Sequence, residues 1–212
     1  MTLQHVDILF QLIAFLFAIS VHESAHAWTA NRRGDPTARM LGRVSLNPLV
    51  HADPIGTVIF PLLAMVSGIP LIGWAKPVPV IGRNLHHPRR DFVLVAAAGP
   101  ASNLAIAIGA ALLLSVLPIS PMRIGEPNVS VPVAAILSNA VRLNVLLAVF
   151  NMIPIPPLDG GNVLAGLLPG RLASSFNRLR PYGFVLLYAL MLSGRLSDII
   201  VPPARLLISW LT

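Results

Sequence analysis

Five long apolar runs, each almost free of charged residues, constrain the fold of this chain more than any other feature. They cover residues 6–31, 54–72, 92–117, 139–153 and 182–212. A helix needs about 20 apolar residues to cross the hydrocarbon core of a bilayer. The runs are continuously apolar rather than alternating, which argues against a transmembrane β-barrel. With 55% hydrophobic and 11% charged residues, the chain is predicted to form one all-α integral membrane bundle, 1–212, with about four to six transmembrane or re-entrant segments.

Basic residues lie in short clusters between these runs. The net charge is +7, but this placement is typical of membrane topology rather than of nucleic-acid binding. The clusters within 32–43, 76–90 and 171–180 are predicted to be cytoplasmic, in a multi-pass protein of the cell membrane. Two of these clusters flank run 54–72, so this run cannot simply cross the membrane once. Either it enters the membrane and returns to the same side, or a short extended or β element near 41–81 leads the chain back while packed within the protein. The predicted core helices are 6–31, 92–117 and 139–160, followed by a C-terminal helical region over 182–212.

The first run contains His-Glu-Ser-Ala-His at residues 22–26. On a helix, positions i and i+4 share one face, so the His22 and His26 imidazoles can chelate one ion. Glu23 lies about 100° around the helix axis, beside such an ion, where it can act as a general base toward water. The alternative is a pair of core histidines bonded to neighbouring groups. An ionisable residue within a membrane helix favours function, and the absence of cysteine restricts metal ligands to His, Asp and Glu.

A catalytic zinc takes three protein ligands and keeps one open position. Asp159 directly follows an apolar run and lies near the predicted depth of the two histidines. Pro154, Pro156 and Pro157 interrupt helical hydrogen bonding before it, so a kinked segment can direct its carboxylate inward. The alternative is that Asp159 is the N-cap of a helix over 161–168.

Three motifs together resemble the site-2 protease family of intramembrane zinc metalloproteases, most closely its short bacterial and archaeal members. The motifs are His-Glu-Ser-Ala-His at 22–26, Gly-Pro-Ala-Ser-Asn at 99–103, and Asn151-x-x-Pro-x-Pro-x-Leu-Asp159-Gly160. Shorter matches include Gly-Asp-Pro at 34–36 and Gly-Trp-Ala-Lys-Pro-Val-Pro at 73–79. The similarity covers nearly the whole chain and preserves the order of the motifs.

The resemblance implies that His22, His26 and Asp159 bind one catalytic Zn²⁺ and that Glu23 activates water. It also implies that Asn151 faces the site and positions substrate or stabilises the oxyanion, although a hydrogen bond between helices is the alternative. Asn103 is interpreted as structural. His51 and Asp53 are interpreted as part of an interfacial turn, with a role at the entrance or in a second metal site as the alternative.

The predicted function is zinc-dependent hydrolysis of peptide bonds in or near transmembrane helices of substrate proteins, from an active site toward the cytoplasm. The partners are then membrane-protein substrates and the lipid bilayer, without nucleic acid. Because a helical substrate must be unwound locally, the segments 73–81 and 41–47 are candidates for holding it by strand addition. A metal-ion transporter and a catalytically silent, helix-binding scaffold are the alternatives.

Overall fold

The structure is a computed structural model that describes residues 3–60, 63, 74–117 and 130–212. Over these residues the chain is helical, with turns, one extended segment and no strand. The α-helices are α1 Leu3–Arg32, α2 Thr37–Met40, α3 Pro48–His51, α4 Pro88–Val116, α5 Ser130–Asn151, α6 Asp159–Leu167, α7 Gly170–Asn177, α8 Gly183–Leu192 and α9 Arg195–Leu211. A π-helical turn covers Pro54–Ile59, and 3₁₀ turns cover Gly82–Asn84 and Arg180–Tyr182.

Two of the described helices are long and apolar enough to cross a membrane by length and composition. They are α4 and residues Pro132–Asn151 of α5. A third span is added if Gly170–Leu192 and Arg195–Leu211, which meet at 83°, form one broken span. The protein is therefore a membrane protein whose described residues are helical, with two or three candidate spans among them, and the predicted four to six are not confirmed. Most of the predicted re-entrant run 54–72 lies outside the described residues.

The C-terminal half differs from the predicted boundaries in one place. The core helix predicted over 139–160 is two helices, because α5 ends at Asn151 and α6 begins at Asp159. The intervening proline-rich turn has few backbone N–H groups with which to continue a helix. The C-terminal region is the broken pair α8 and α9, separated at Gly194, whose φ of 74° is left-handed and favours glycine.

Residues 74–81 form an extended segment, but no β element is found in the described parts of the 41–81 region, which are 41–60, 63 and 74–81. The backbone N–H of Trp74 donates to Gly56 O at 3.3 Å, and that of Lys76 donates to His51 O at 2.8 Å. At its far end, Ile81 N–H donates to the Asp35 carboxylate at 2.6 Å. The segment is thus attached through isolated contacts rather than through a strand ladder, which is why the β prediction is not confirmed.

Helix α4 is the central element of the bundle, since it packs against α1, α5 and α6. Small side chains allow its close approach to α5 and α9. The cluster formed there consists of Ala107, Ala110, Ala111, Val141, Val145 and Ala204, all buried. Because α1 and α6 both contact α4, residues from the two ends of the chain meet beside it.

Candidate metal centre

His22 and His26 lie one helical turn apart on α1, and both are buried. Their ring centroids are 4.7 Å apart and their planes are nearly perpendicular. The two Nε2 atoms face each other at 3.1 Å. The i, i+4 spacing therefore brings both imidazoles to one point, as the sequence predicts.

The second ring nitrogen of each histidine contacts an acceptor. His26 Nδ1 lies 2.7 Å from Val95 O on α4, and His22 Nδ1 lies 2.6 Å from Asn103 Oδ1. An imidazole that donates from Nδ1 carries a lone pair on Nε2 when it is neutral. The lone pairs of both Nε2 atoms then point into the same space.

A chain of amides fixes the orientation of Asn103. The Asn144 side chain donates to Ala140 O at 2.9 Å, and a backbone carbonyl can only accept. Asn144 Oδ1 therefore accepts from Asn103 Nδ2, at 2.9 Å, which leaves Asn103 Oδ1 as the acceptor for His22. This series, Ala140 O to Asn144 to Asn103 to His22, is called the asparagine relay below. Asn103, interpreted from sequence as structural, thus contacts a histidine of the site directly.

Asp159 reaches the histidines from α6. Its Oδ2 lies 3.0 Å from His22 Nε2 and 3.3 Å from His26 Nε2. The N-cap residue of α6 is Leu158, and no side-chain capping bond is formed there, so the N-cap alternative for Asp159 is wrong. Gly160 allows the tight turn before α6, because a Cβ at this position would lie 2.6 Å from Ile153 O.

The three donor atoms fit a zinc ion. Tetrahedral bonds of about 2.0–2.1 Å put neighbouring ligand atoms about 3.3–3.4 Å apart, close to the 3.0, 3.1 and 3.3 Å separations found here. Asp159 Oδ2 is buried and has no hydrogen-bond partner among the described residues. Two lone pairs and a carboxylate oxygen facing one another repel unless a cation lies between them. His22, His26 and Asp159 are also the group of possible metal ligands found in the described part of the chain.

A cavity of about 690 Å³ opens onto these three residues. Glu23 and Asn151 line it, as do Asn162 and Arg180. The Glu23 side chain is partly exposed and lies outside the ligand cluster. Asn151 donates a hydrogen bond to Leu147 O, one turn earlier on α5, at 3.0 Å.

Three polar residues near the site were not singled out from the sequence. Asn144 belongs to the asparagine relay. A polar residue within an apolar helix indicates a hydrogen bond between helices, and this was the feature of the sequence from which Asn144 could have been found. Arg180 donates to Asn162 Oδ1 at 2.7 Å, and both residues line the cavity. No motif marks Asn162 and Arg180, because the contact joins two elements distant in sequence.

His51 and Asp53 lie outside the metal cluster. His51 is buried, with Nε2 2.8 Å from Ser45 O. The Asp53 carboxylate accepts from Ile55 N–H at 3.0 Å and from Gly56 N–H at 2.8 Å, so it caps the π-helical turn. This geometry agrees with the interfacial-turn interpretation.

Two histidines and a carboxylate around one open position, with a glutamate next to the first histidine, define the class of site found in zinc metalloproteases. A family model described as Peptidase family M50 matches residues 117–193. YwhC of Bacillus subtilis (strain 168), named as a candidate zinc metalloprotease, is 35% identical over 191 residues, 90% of this chain and 84% of that protein. Rip2 of Mycolicibacterium smegmatis, named in the same way, is 29% identical over 197 residues, 92% of this chain and 71% of that protein. No solved structure gives a significant match.

The chain therefore belongs to peptidase family M50, the site-2 proteases. It is a zinc metalloendopeptidase of the site-2 type, and Zn²⁺ is its catalytic metal. The family and the metal predicted from the sequence are confirmed.

Proposed function

We propose that this protein hydrolyses peptide bonds in or next to transmembrane helices of substrate membrane proteins. The observation that carries the proposal is the position of the donor set. His22, His26 and Asp159 converge on a cavity whose lining is mostly apolar and includes helices of candidate membrane spans, which suits a substrate segment that comes from the membrane.

In this proposal His22 Nε2, His26 Nε2 and Asp159 Oδ2 hold the zinc. Zinc bound there supplies a Lewis acid that polarises a carbonyl and lowers the pKa of water toward about 7. The asparagine relay and Val95 O keep both rings in the tautomer and orientation that coordination needs. Asn103 and Asn144 are thus positioning residues for His22.

Glu23 is the proposed general base. Its place beside the ligand cluster, on the wall of the cavity, lets its carboxylate accept a proton from the attacking water. The same carboxyl group then returns that proton to the nitrogen of the leaving amine. Because Glu23 is partly exposed within the cavity, water can reach it without crossing the apolar core.

Asn151 is proposed to donate a hydrogen bond to the substrate carbonyl. Its amide nitrogen has two hydrogens, and Leu147 O accepts one of them. The second hydrogen remains for a ligand in the cavity, which Asn151 lines. A purely structural bond within α5 is the alternative, and Asn151→Ala separates the two because only the substrate role predicts a fall in kcat at unchanged zinc content.

The extended segment 74–81 is proposed to hold an unwound substrate. Trp74 and Lys76 donate their N–H groups to the body of the protein, so the N–H of the alternate residue Ala75 points the other way. Ala75 and Val78 line the cavity. An extended substrate can pair there over a short length, since Pro77 and Pro79 have no N–H to donate.

The active site is proposed to face the cytoplasm from the cell membrane. Arg32 and Arg33 follow the metal-binding turn of α1, and Arg171 and Arg178 follow α6. Arginine concentrated at these ends of the bundle is what the positive-inside rule predicts for cytoplasmic loops. Tagging each terminus and testing its accessibility in intact cells checks this orientation.

The test is cleavage of single-span membrane substrates by the reconstituted protein. Glu23→Gln is expected to keep bound zinc and lose at least about 100-fold in kcat, since general-base catalysis contributes about 10²–10⁴-fold. His22→Ala, His26→Ala and Asp159→Ala are expected to lose zinc as well, measured by elemental analysis. The matched control is His87→Ala, which removes an exposed histidine and is expected to change neither quantity.

Two outcomes contradict the proposal. Equal cleavage by wild type and Glu23→Gln would remove Glu23 from the mechanism. Zinc flux into liposomes by the wild type, without cleavage of any substrate, would favour a transporter.

A further inference from the structure

A second pocket lies on the surface where α1 ends, and it shares no lining residue with the active-site cavity. Trp28, Asn31, Arg32, Arg39 and Val44 line it. We call it the α1-end pocket. Two exposed guanidinium groups from different helices, α1 and α2, contribute to one concave surface, so the pocket has the charge of an anion-binding site.

No carboxylate of the side chains that the structure describes pairs with these two arginines. Asp35 is the one acidic residue between positions 24 and 52, and it is fully buried. Its carboxylate accepts hydrogen bonds from Thr37, Ile81 and Asn84 instead. Neither Arg32 nor Arg39 has a carboxylate within 4.0 Å among the residues described by the structure.

The neighbouring arginines serve the fold rather than the pocket. Arg43 is buried and donates to Val50 O at 2.5 Å. Arg33 lies 3.9 Å from the Asp91 carboxylate. Arg32 and Arg39 are therefore distinguished from the rest of the basic cluster, because these two are exposed and directed to one pocket. The dipole of α1 places the equivalent of about half a negative charge at its C-terminal end. The two arginines outweigh it, so the pocket remains positive.

Large, exposed apolar side chains are close in sequence to the pocket residues Arg39 and Val44. Met40 is 80% exposed and Leu49 is 82% exposed, and Leu41 and Leu46 are exposed as well. In water such a group of side chains is unfavourable. Apolar side chains next to arginine are instead characteristic of segments that lie in the interface of a membrane.

Trp28 indicates the level in the bilayer at which the pocket would lie. The residue is 53% exposed in the final turns of α1, and the Arg32 guanidinium carbon lies 5.2 Å from the centroid of its ring. Tryptophan is enriched at the headgroup level of bilayers. The pocket is then at the level of lipid phosphates, with Met40 and Leu49 able to insert among the acyl chains.

We infer that the α1-end pocket binds the phosphate of an anionic phospholipid, whose acyl chains cover the apolar side chains of residues 40–49. The proposed ligand is a lipid rather than a soluble phosphate, because only a lipid accounts for the charge and the exposed apolar groups together. A zwitterionic lipid is a poorer ligand, since its headgroup cation faces two arginines. Each basic residue near an anionic surface contributes about fivefold to affinity, so both contribute roughly 30-fold.

Fluorescence of Trp28 tests this inference in the full chain. The chain has three tryptophans, and Trp74→Phe with Trp210→Phe leaves Trp28 as the reporter. The protein is reconstituted into phosphatidylcholine vesicles that contain a small fraction of either brominated phosphatidylglycerol or brominated phosphatidylcholine. The expected result is quenching at a much lower fraction of the anionic lipid, and loss of most of this preference in Arg32→Gln/Arg39→Gln.

The matched control is Arg171→Gln/Arg178→Gln, which removes two exposed arginines elsewhere and is expected to keep the preference. Native mass spectrometry of the unaltered protein, counting retained phosphatidylglycerol, repeats the test without the tryptophan changes. Equal quenching by both lipids, or a preference that survives Arg32→Gln/Arg39→Gln, would overturn the inference. Displacement by glycerol phosphate at constant ionic strength would assign the pocket to a soluble phosphate and would also overturn it.

Discussion

At the residue scale, the two imidazoles are held by groups that leave them little freedom. Each Nδ1 contacts an oxygen on α4, from Asn103 or Val95. Gly99, on the same helix, lies directly against the Nε2 edges of both rings, and a Cβ there would approach His22 Nε2 and Cε1 to 2.5 and 2.6 Å. The proposed zinc site thus requires glycine at the first position of the Gly-Pro-Ala-Ser-Asn motif, because a larger residue would occupy the space of the rings.

Gly99→Ala is expected to displace the rings and to lower both bound zinc and cleavage at least about tenfold, since groups that orient ligands contribute about 10–100-fold. Gly109→Ala is the matched control on α4, because a Cβ at Gly109 meets nothing within 4 Å. Zinc content and cleavage rate are measured for both. Normal zinc binding by Gly99→Ala would show that the site has more room than these distances allow.

At the element scale, the carboxylate of the proposed site depends on α6, a helix of only nine residues. Arg89 on α4 holds its far end, donating to Gly166 O at 2.7 Å and also to the carbonyls of Leu167 and Leu168. A cation at the C-terminus of a helix satisfies unpaired carbonyls and complements the helix dipole. The position of Asp159 at the other end of α6 is therefore fixed partly by Arg89.

Arg89→Gln is expected to weaken zinc binding several-fold and to lower the free energy of unfolding by about 1 kcal/mol. The neighbouring Arg90 is exposed, so Arg90→Gln removes the same charge as a control and is expected to behave as wild type. Zinc titration and thermal unfolding in detergent are the measurements. Identical effects of the two changes would point to charge alone rather than to the contacts with α6.

A second contact between elements is made by the buried Asp35. Its carboxylate accepts hydrogen bonds from Ile81 and Asn84, and so links the chain after α1 to residues 81–84. Burial by itself raises the pKa of the Asp35 carboxyl, but hydrogen bonds from Thr37, Asn84 and Ile81 outweigh it and bring the pKa below the ordinary 3.8. The ionised form is therefore the one that the folded protein stabilises. The contribution of ionised Asp35 to stability is fully present above pH 3.8, the ordinary pKa of the group. It is lost as the pH falls through the lower pKa that Asp35 has in the folded protein.

Asp35→Asn is expected to lower the free energy of unfolding by about 2 kcal/mol at neutral pH, because charged hydrogen bonds are lost and an amide cannot accept at both positions. The difference from wild type should shrink as the pH falls below 3.8. Asp198→Asn is the control, since that carboxylate is 69% exposed and worth little. A difference independent of pH would mean that ionisation of Asp35 does not contribute.

At the scale of the whole molecule, the proposed ion would join α1 to α6, and α4 lies against both. Because both pack on α4, the first helix and a helix of the C-terminal half meet at the proposed zinc site. A ligand that binds only the folded state stabilises it by RT ln(1 + [L]/Kd). The zinc is then part of the stability of the bundle as well as of the chemistry.

Removal of zinc with a chelator is expected to lower the thermal midpoint of the wild type and of Glu23→Gln alike. The loss is about 2.7 kcal/mol if free zinc was at 100 times Kd. His22→Ala is expected to unfold at a lower temperature that the chelator leaves unchanged. Differential scanning fluorimetry in detergent provides the midpoints, and an equal shift in His22→Ala would argue against this histidine as a ligand.

The meeting of His22 and His26 could be predicted from their i, i+4 spacing, whereas Asp159 as the third ligand was implied by the family resemblance, since the residues alone left an N-cap role open. The histidine spacing fixes a helix face, and the prolines before Asp159 end one helix so that another can begin beside the site. The split of 139–160 into α5 and α6 follows from the same prolines, yet the exact ends of helices depend on packing and were not predicted.

Contacts between distant elements were harder to predict. Asn144 and Arg180 take their roles from partners on other helices, and one sequence carries no signal for such pairs. The predicted β element was not confirmed for a related reason. An extended segment becomes a strand only when a neighbouring segment supplies a ladder of hydrogen bonds. Residues 74–81 have single contacts to several elements instead.

The asparagine relay has a mechanical consequence. It begins at Ala140 O on α5 and ends at the ring of His22 on α1, while Leu147 and Asn151, farther along α5, form part of the cavity wall. Asn144 and Asn151 lie on the same helix, so a displacement of α5 by a substrate in the cavity would also move Asn144 and, through Asn103, the hydrogen bond to His22. Substrate binding in the cavity would in that case alter the orientation of a proposed zinc ligand.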